Sequence, residues 1–118
     1  MGARYFCAIN FKIMAVELVT DREWNAKLES NEKVVVKYFA DWCGSCKLIA
    51  PKYRRLSDDE RFSEITFLEV NAETNEVARK SAGVDNLPFF AIFRNGEMVE
   101  GSATSKEENV IKMLEQLN

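Results

Sequence analysis

The stretch Val34-Val35-Val36-Lys37-Tyr38-Phe39-Ala40-Asp41-Trp42-Cys43-Gly44-Ser45-Cys46-Lys47 decides how this chain is read. Its first half is β-branched and aromatic, the composition of a buried strand. It ends at the turn-former Asp41, and helical periodicity begins just beyond. Cys43 and Cys46, two residues apart, therefore stand where a helix starts. The first turn of a helix offers unpaired N–H groups and the positive end of its dipole, and both favour a thiolate. Cys43, beside Trp42, is expected to be exposed, and Cys46, about one turn further in, to be shielded. Such a pair can exchange with a disulfide: Cys43 attacks it, and Cys46 resolves the mixed disulfide by attacking Cys43.

Composition narrows the remaining choices. A chain of 118 residues that is 47% hydrophobic and 30% charged is long enough for one domain with its own core. Its net charge of −3 supplies no basic field to attract nucleic acid or an anionic membrane, so neither is expected as a partner. With no histidine, and only Cys7 besides the CxxC pair, a closed metal site lacks ligands, and no metal or other cofactor is expected. Three cysteines do not make a secreted disulfide framework. One CxxC beside βα patterning reads as redox chemistry in a reducing compartment.

Periodicity orders the rest of the chain. Val16–Val19 is a short strand, and Thr20 with Glu23 forms a capping box that opens a helix with Trp24 and Leu28 on one face. Lys33–Phe39 is the central strand. The helix from Cys43 carries Pro51, and Leu48, Ile49, Tyr53 and Leu56 are expected to form its buried stripe. Ile65–Val70 is a second strand. Glu76–Ala82 is a short helix with Val77 inward, stopped by a left-handed Gly83. Phe89–Phe93 and Met98-Val99 flank an Asn95-Gly96 hairpin turn. Ser105 with Glu108 is expected to cap a final helix whose apolar face is Val110, Ile111, Leu114 and Leu117. The expected class is α/β, a central mixed β-sheet flanked by helices on both faces. Residues 15–118 form the domain; residues 1–14 fall outside the pattern and read as an N-terminal extension, disordered or a non-native start, with Cys7 an incidental thiol.

The segment from Ala40-Asp41-Trp42-Cys43-Gly44-Ser45-Cys46-Lys47 to Pro51 resembles the active-site segment of the thioredoxin family. Gly83-Val84-Asp85-Asn86-Leu87-Pro88 is similar to that family's cis-proline loop, and Phe93-Arg94-Asn95-Gly96-Glu97 to its late hairpin. The resemblance implies the thioredoxin fold and reduction of protein disulfides through Cys43 and Cys46. It implies a substrate-contacting set of Trp42, Gly44, Ser45, Asn86, Leu87 and Pro88. In the family, the backbone before the cis-proline holds substrate as an added strand. Ser45 stands where proline is common, Asn86 where a small residue is usual, and Phe89 where threonine is. The implied partners are disulfide-containing proteins and an upstream reductase such as thioredoxin reductase, for a cytoplasmic monomer. A thioredoxin-like binding module, or an oxidase or isomerase of the same fold, is the alternative.

Lys37 is the least expected residue, a cation amid apolar strand neighbours. The family typically has a buried aspartate here, paired with a lysine on the adjacent strand. In this chain Glu69 occupies the matching place on that strand, so the signs look exchanged. A buried charge needs a partner. Lys37 and Glu69 are therefore expected to pair beneath Cys46 and to support its proton transfer.

Overall fold

Lys33–Phe39 (β2) is the middle strand of a five-stranded sheet because its valines and aromatics suit burial on both faces. The computed structural model describes residues 16–118, so the extension and Cys7 lie outside the described residues. Val16–Leu18 (β1) leads through helix Asp21–Ser30 (α1) to β2, and helix Gly44–Ser57 (α2) and a short 3-10 turn follow. Then come Thr66–Asn71 (β3), helix Glu76–Ala82 (α3), Phe89–Arg94 (β4), Glu97–Ala103 (β5) and helix Glu107–Leu117 (α4). The strand order is β1-β3-β2-β4-β5. β3 runs parallel to β1 and β2, while β4 is antiparallel to both β2 and β5. The sheet is mixed, as expected.

Side-chain alternation along β2 divides the core in two. Val34, Val36 and Tyr38 pack with Trp24 and Leu28 of α1 and with Ala78 and Ala82 of α3. Val35 points the other way, to Ile49, Tyr53 and Leu56 of α2 and to Val110, Met113, Leu114 and Leu117 of α4. Lys37 shares the parity of Val35, and Glu69 shares that of Phe67, which belongs to the same α2-side cluster. Period-two geometry thus aims both charges at the helix that carries the cysteines.

Several local devices follow the sequence closely. Thr20 and Glu23 close the capping box, with the Thr20 N–H donating to Glu23 Oε1 at 3.0 Å. Gly83 ends α3 at φ 65°, and Asn95 and Gly96 turn the hairpin at φ 53° and 85°. Three expectations need correction. Leu48 is 77% exposed, because Cys46, Ile49, Tyr53 and Leu56 already form the inward row and Leu48 lies about 100° around the helix from Ile49. Val77 is 51% exposed. The Asp21 carboxylate accepts the Val77 and Ala78 N–H groups at 3.0 and 2.9 Å, which docks α3 with the small Ala78 and Ala82 against the sheet. The last helix is capped at Lys106 rather than Ser105, and the acceptor there is Thr104 Oγ1, bonded by the Lys106 N–H and by Asn109 Nδ2 at 3.1 and 2.8 Å.

Candidate active site

The end of β2 and the start of α2 set the cysteines. The Cys43 N–H donates to Ala40 O at 3.1 Å, closing a turn that hands the chain from strand to helix. Cys43 is the N-cap of α2, and its Sγ accepts the Cys46 N–H at 3.2 Å. The two cysteines form a disulfide with Cα atoms 5.3 Å apart. An N-cap sulfur facing an otherwise unpaired helix N–H is where a thiolate gains most from the first turn.

Cys43 does not stand exposed as expected. Both cysteines are buried, at 4% and 3%, because the disulfide folds Cys43 back onto Cys46, and Ala40, Phe39 and Leu87 pack around the pair. Access comes from Gly44, where an added Cβ would meet nothing within 4 Å. Ser45 Oγ lies 3.7 Å from Cys43 Sγ.

Two grooves flank the disulfide. One, of about 350 Å³, runs between Ser45, the Asn86-Leu87-Pro88 loop and Lys106. The other, of about 260 Å³, lies between Trp42, Glu73, Val84 and the other side of the same loop. The Leu87–Pro88 peptide bond is cis. Asn86 Oδ1 accepts the N–H of Leu87 at 2.9 Å. Pro88 O accepts the Thr104 N–H at 3.1 Å, which ties the loop to the end of β5.

Trp42 is 68% exposed, and its indole N–H donates to Glu73 Oε2 at 2.5 Å. Sequence reasoning missed Glu73: an acidic residue in a loop carries no pattern that marks it. Its own anchor is local, since the Glu73 N–H donates to Asn71 Oδ1 at 2.9 Å.

Behind the disulfide, Lys37 and Glu69 are register partners on β2 and β3. Lys37 Nζ and Glu69 Oε1 are 3.3 Å apart, with side-chain exposures of 5% and 26%. The Lys37 ammonium also lies 5.5 Å from the Tyr53 ring centroid and 5.6 Å from that of Phe39, within cation–π range. Burial pushes the Lys37 pKa down, and Glu69 pulls it back up. The Lys37 stem does not carry its ammonium out to solvent. No cluster of three or more potential metal-ligating acidic, cysteine or histidine side chains is present among the described residues.

The family described as Thioredoxin matches residues 15–116. The chain belongs to the thioredoxin family. Thioredoxin-1 of Schizosaccharomyces pombe is 34% identical over 102 residues, spanning 84% of this chain and 97% of that protein. Thioredoxin 1 of Plasmodium falciparum is 31% identical, spanning 85% and 95%. A solved structure of Plasmodium falciparum thioredoxin superposes with a TM-score of 0.79 at 26% identity, covering 86% of this chain and 99% of that one. A chain from the complex of ferredoxin:thioredoxin reductase and thioredoxin f2 superposes with a TM-score of 0.80 at 25% identity, covering 87% and 94%. Thioredoxin-family membership and the Cys43–Cys46 pair together make this chain a thiol-disulfide oxidoreductase.

Proposed function

We propose that the protein works chiefly in the reducing direction, as a cytoplasmic monomer that reduces protein disulfides and is itself recycled by an upstream reductase. The observation that carries the division of labour is the N-cap position of Cys43, whose Sγ faces the Cys46 N–H. In the reduced protein that N–H and the dipole of α2 stabilise the Cys43 thiolate, which is the attacking species. Cys46, one turn in and shielded by the helix, resolves.

Cys43 Sγ attacks one sulfur of the substrate disulfide, and the other sulfur leaves as a thiolate. Cys46 then attacks Cys43, forming the disulfide seen here and releasing the second substrate thiol. The substrate segment lies along Asn86-Leu87-Pro88 beside Trp42, Gly44 and Ser45, extended as an added strand. A chain similar to this one occurs in the complex of ferredoxin:thioredoxin reductase and thioredoxin f2, which supports a reductase as the electron donor. A single CxxC within an otherwise cysteine-poor chain supports a reducing compartment.

Insulin reduction with dithiothreitol tests the direction: the wild type should accelerate precipitation and Cys43→Ser should not. Cys46→Ala should accumulate a mixed disulfide through Cys43, because the intramolecular exit is gone. Cys43→Ala should accumulate none. Equal capture by both variants would reverse or abolish the assignment of attacker and resolver.

A further inference from the structure

The two grooves beside the disulfide share Asn86 and Leu87 as a common wall, and they differ in charge. The larger is closed on its far side by Thr104, Ser105, Lys106 and Asn109, and its lining holds one cation and no carboxylate. The smaller is lined by Trp42, Glu73, Arg79 and Asp85, so there the carboxylates outnumber the cation. Arg79 Nη1 donates to the Ala72 carbonyl at 3.0 Å, and Glu73 holds the Trp42 indole. Lys106 and Asp85 are the charges left over. Both are exposed, and among the described residues neither takes part in an ion pair.

We propose that Lys106 and Asp85 read the charge order of the substrate: a disulfide-bearing segment laid across Asn86-Leu87-Pro88 binds best with an acidic flank at Lys106 and a basic flank at Asp85. This preference rests on the substrate placement proposed above and adds to it which flanks are favoured. The backbone fixes both residues relative to the loop. The Thr104 N–H donates to Pro88 O at 3.1 Å, and Thr104 Oγ1 accepts the Lys106 N–H at 3.1 Å and Asn109 Nδ2 at 2.8 Å. Lys106 is thus tethered to the cis-proline through Thr104. On the other side, α3 stops at Gly83 and the Val84 N–H donates to Arg79 O at 3.3 Å, so the chain enters the loop at Asp85.

The other charges near the disulfide face elsewhere. Glu107, next to Lys106, lines a narrow crevice with Lys52 and Tyr53 on the α2 side. Glu108 is exposed on α4 and lines neither groove. Asp41 and Lys47 line the cleft behind the cysteines with Lys37 and Glu69. Pairs between exposed groups are individually weak, since water and salt screen them. They rank substrates rather than anchor them: the favoured order makes two attractive contacts, and the opposite order makes two repulsive ones from the same composition. Backbone pairing with the loop serves either order.

Two peptides of identical composition, each a symmetrical disulfide with blocked termini, test this. One carries aspartates before its cysteine and lysines after it; the other has the order exchanged. The rates at which they oxidise the reduced protein, followed by chromatography of the released peptide thiol, should differ about fivefold at low ionic strength. In about 0.5 M salt the difference should fall below about twofold. Which peptide wins reports the direction in which the segment lies. Lys106→Glu/Asp85→Lys leaves the net charge of the protein unchanged and should make the slower peptide the faster one. Should that variant fold poorly, Lys106→Gln/Asp85→Asn should bring the two rates together. Lys112→Glu, a charge reversal on the exposed side of α4 outside both grooves, should keep the wild-type order. Equal rates in the wild type, an order that survives the double reversal, or an order lost in Lys112→Glu would overturn the assignment while leaving the reductase reading intact. A wild type that reduces neither these peptides nor an alanine-flanked one would instead sink that reading, and this preference with it.

Discussion

Glu69 and Glu73 leave β3 and the turn after it four residues apart, and they serve opposite sides of the same disulfide. Glu73 stands in solvent and holds the exposed indole of Trp42, on the side of the cysteines where substrate is proposed to lie. Glu69 stands behind them, paired with a lysine that is 5% exposed. A hydrogen bond in water exchanges one partner for another and is worth little net, whereas a charge in a low-dielectric site costs several kcal/mol if its partner leaves. The front carboxylate is therefore expected to tune recognition, and the back one to matter for both stability and chemistry.

The largest effect should come from breaking the rear pair. Glu69→Leu leaves the Lys37 ammonium, among the described residues, with the rings of Tyr53 and Phe39, and unfolding by denaturant should show a loss of about 3 kcal/mol. Lys37→Met/Glu69→Leu removes both charges and should return to within about 1 kcal/mol of wild type. A double variant as unstable as the single one would mean that packing rather than charge holds this spot.

A smaller effect follows from titration. Because burial holds the Lys37 pKa below its ordinary 10.5, the folded chain binds fewer protons than the unfolded one between the lowered value and 10.5. Stability contributed by Lys37 is thus complete above 10.5, and it is lost as pH falls through the lowered value. Buried Tyr38 and Tyr53, whose pKa values burial pushes up, act in the opposite sense above pH 10, so the comparison belongs below it. Denaturation midpoints of wild type and Lys37→Met measured at neutral pH and at mildly alkaline pH should converge or diverge accordingly, with the wild type gaining more from alkali. Parallel midpoints would place Lys37 in a more solvated setting than its burial indicates.

How much of this was legible in sequence depends on whether the signal was periodic, local or tertiary. The central strand, the Asn95-Gly96 turn, the Gly83 stop and the Thr20–Glu23 cap read correctly, because each rests on backbone preferences of adjacent residues. Lys37 and Glu69 could be paired because strand parity fixes the face on which a side chain lies. Val77 failed because the rotation of α3 is set by the Asp21 carboxylate, more than fifty residues earlier in the chain. Cys43 failed because its burial follows from the closed disulfide and the packing of Leu87 from a distant loop. Glu73 and Thr104 act through single side chains in irregular backbone, where no period exists to be read.

At the front of the site, Glu73→Gln keeps an oxygen for the Trp42 indole to bond and should change stability by less than about 0.5 kcal/mol. Its effect should fall on KM, raised at most about twofold for an oxidised peptide as the neutral amide holds the Trp42 indole less firmly than the carboxylate, with the resolution rate untouched. A slowed resolution phase in this variant would erase the distinction between the two carboxylates.

The smallest expected effect tests how substrate meets the loop opposite Trp42. Asn86 Oδ1 occupies the N–H of Leu87, next to a proline that has no N–H of its own. An extended substrate segment pairing with this loop must take that N–H with a backbone carbonyl of its own, and so must first displace the Asn86 amide oxygen. One exposed hydrogen bond is exchanged for another, so the obstacle is about 0.5 kcal/mol. Asn86→Ala removes it and should lower KM for an oxidised peptide about twofold with kcat unchanged. Asn86→Asp keeps an acceptor in place and should behave like the wild type. If Asn86→Ala raised KM instead, the side chain would be contacting substrate directly, and the front of the site would have a further recognition residue besides Trp42.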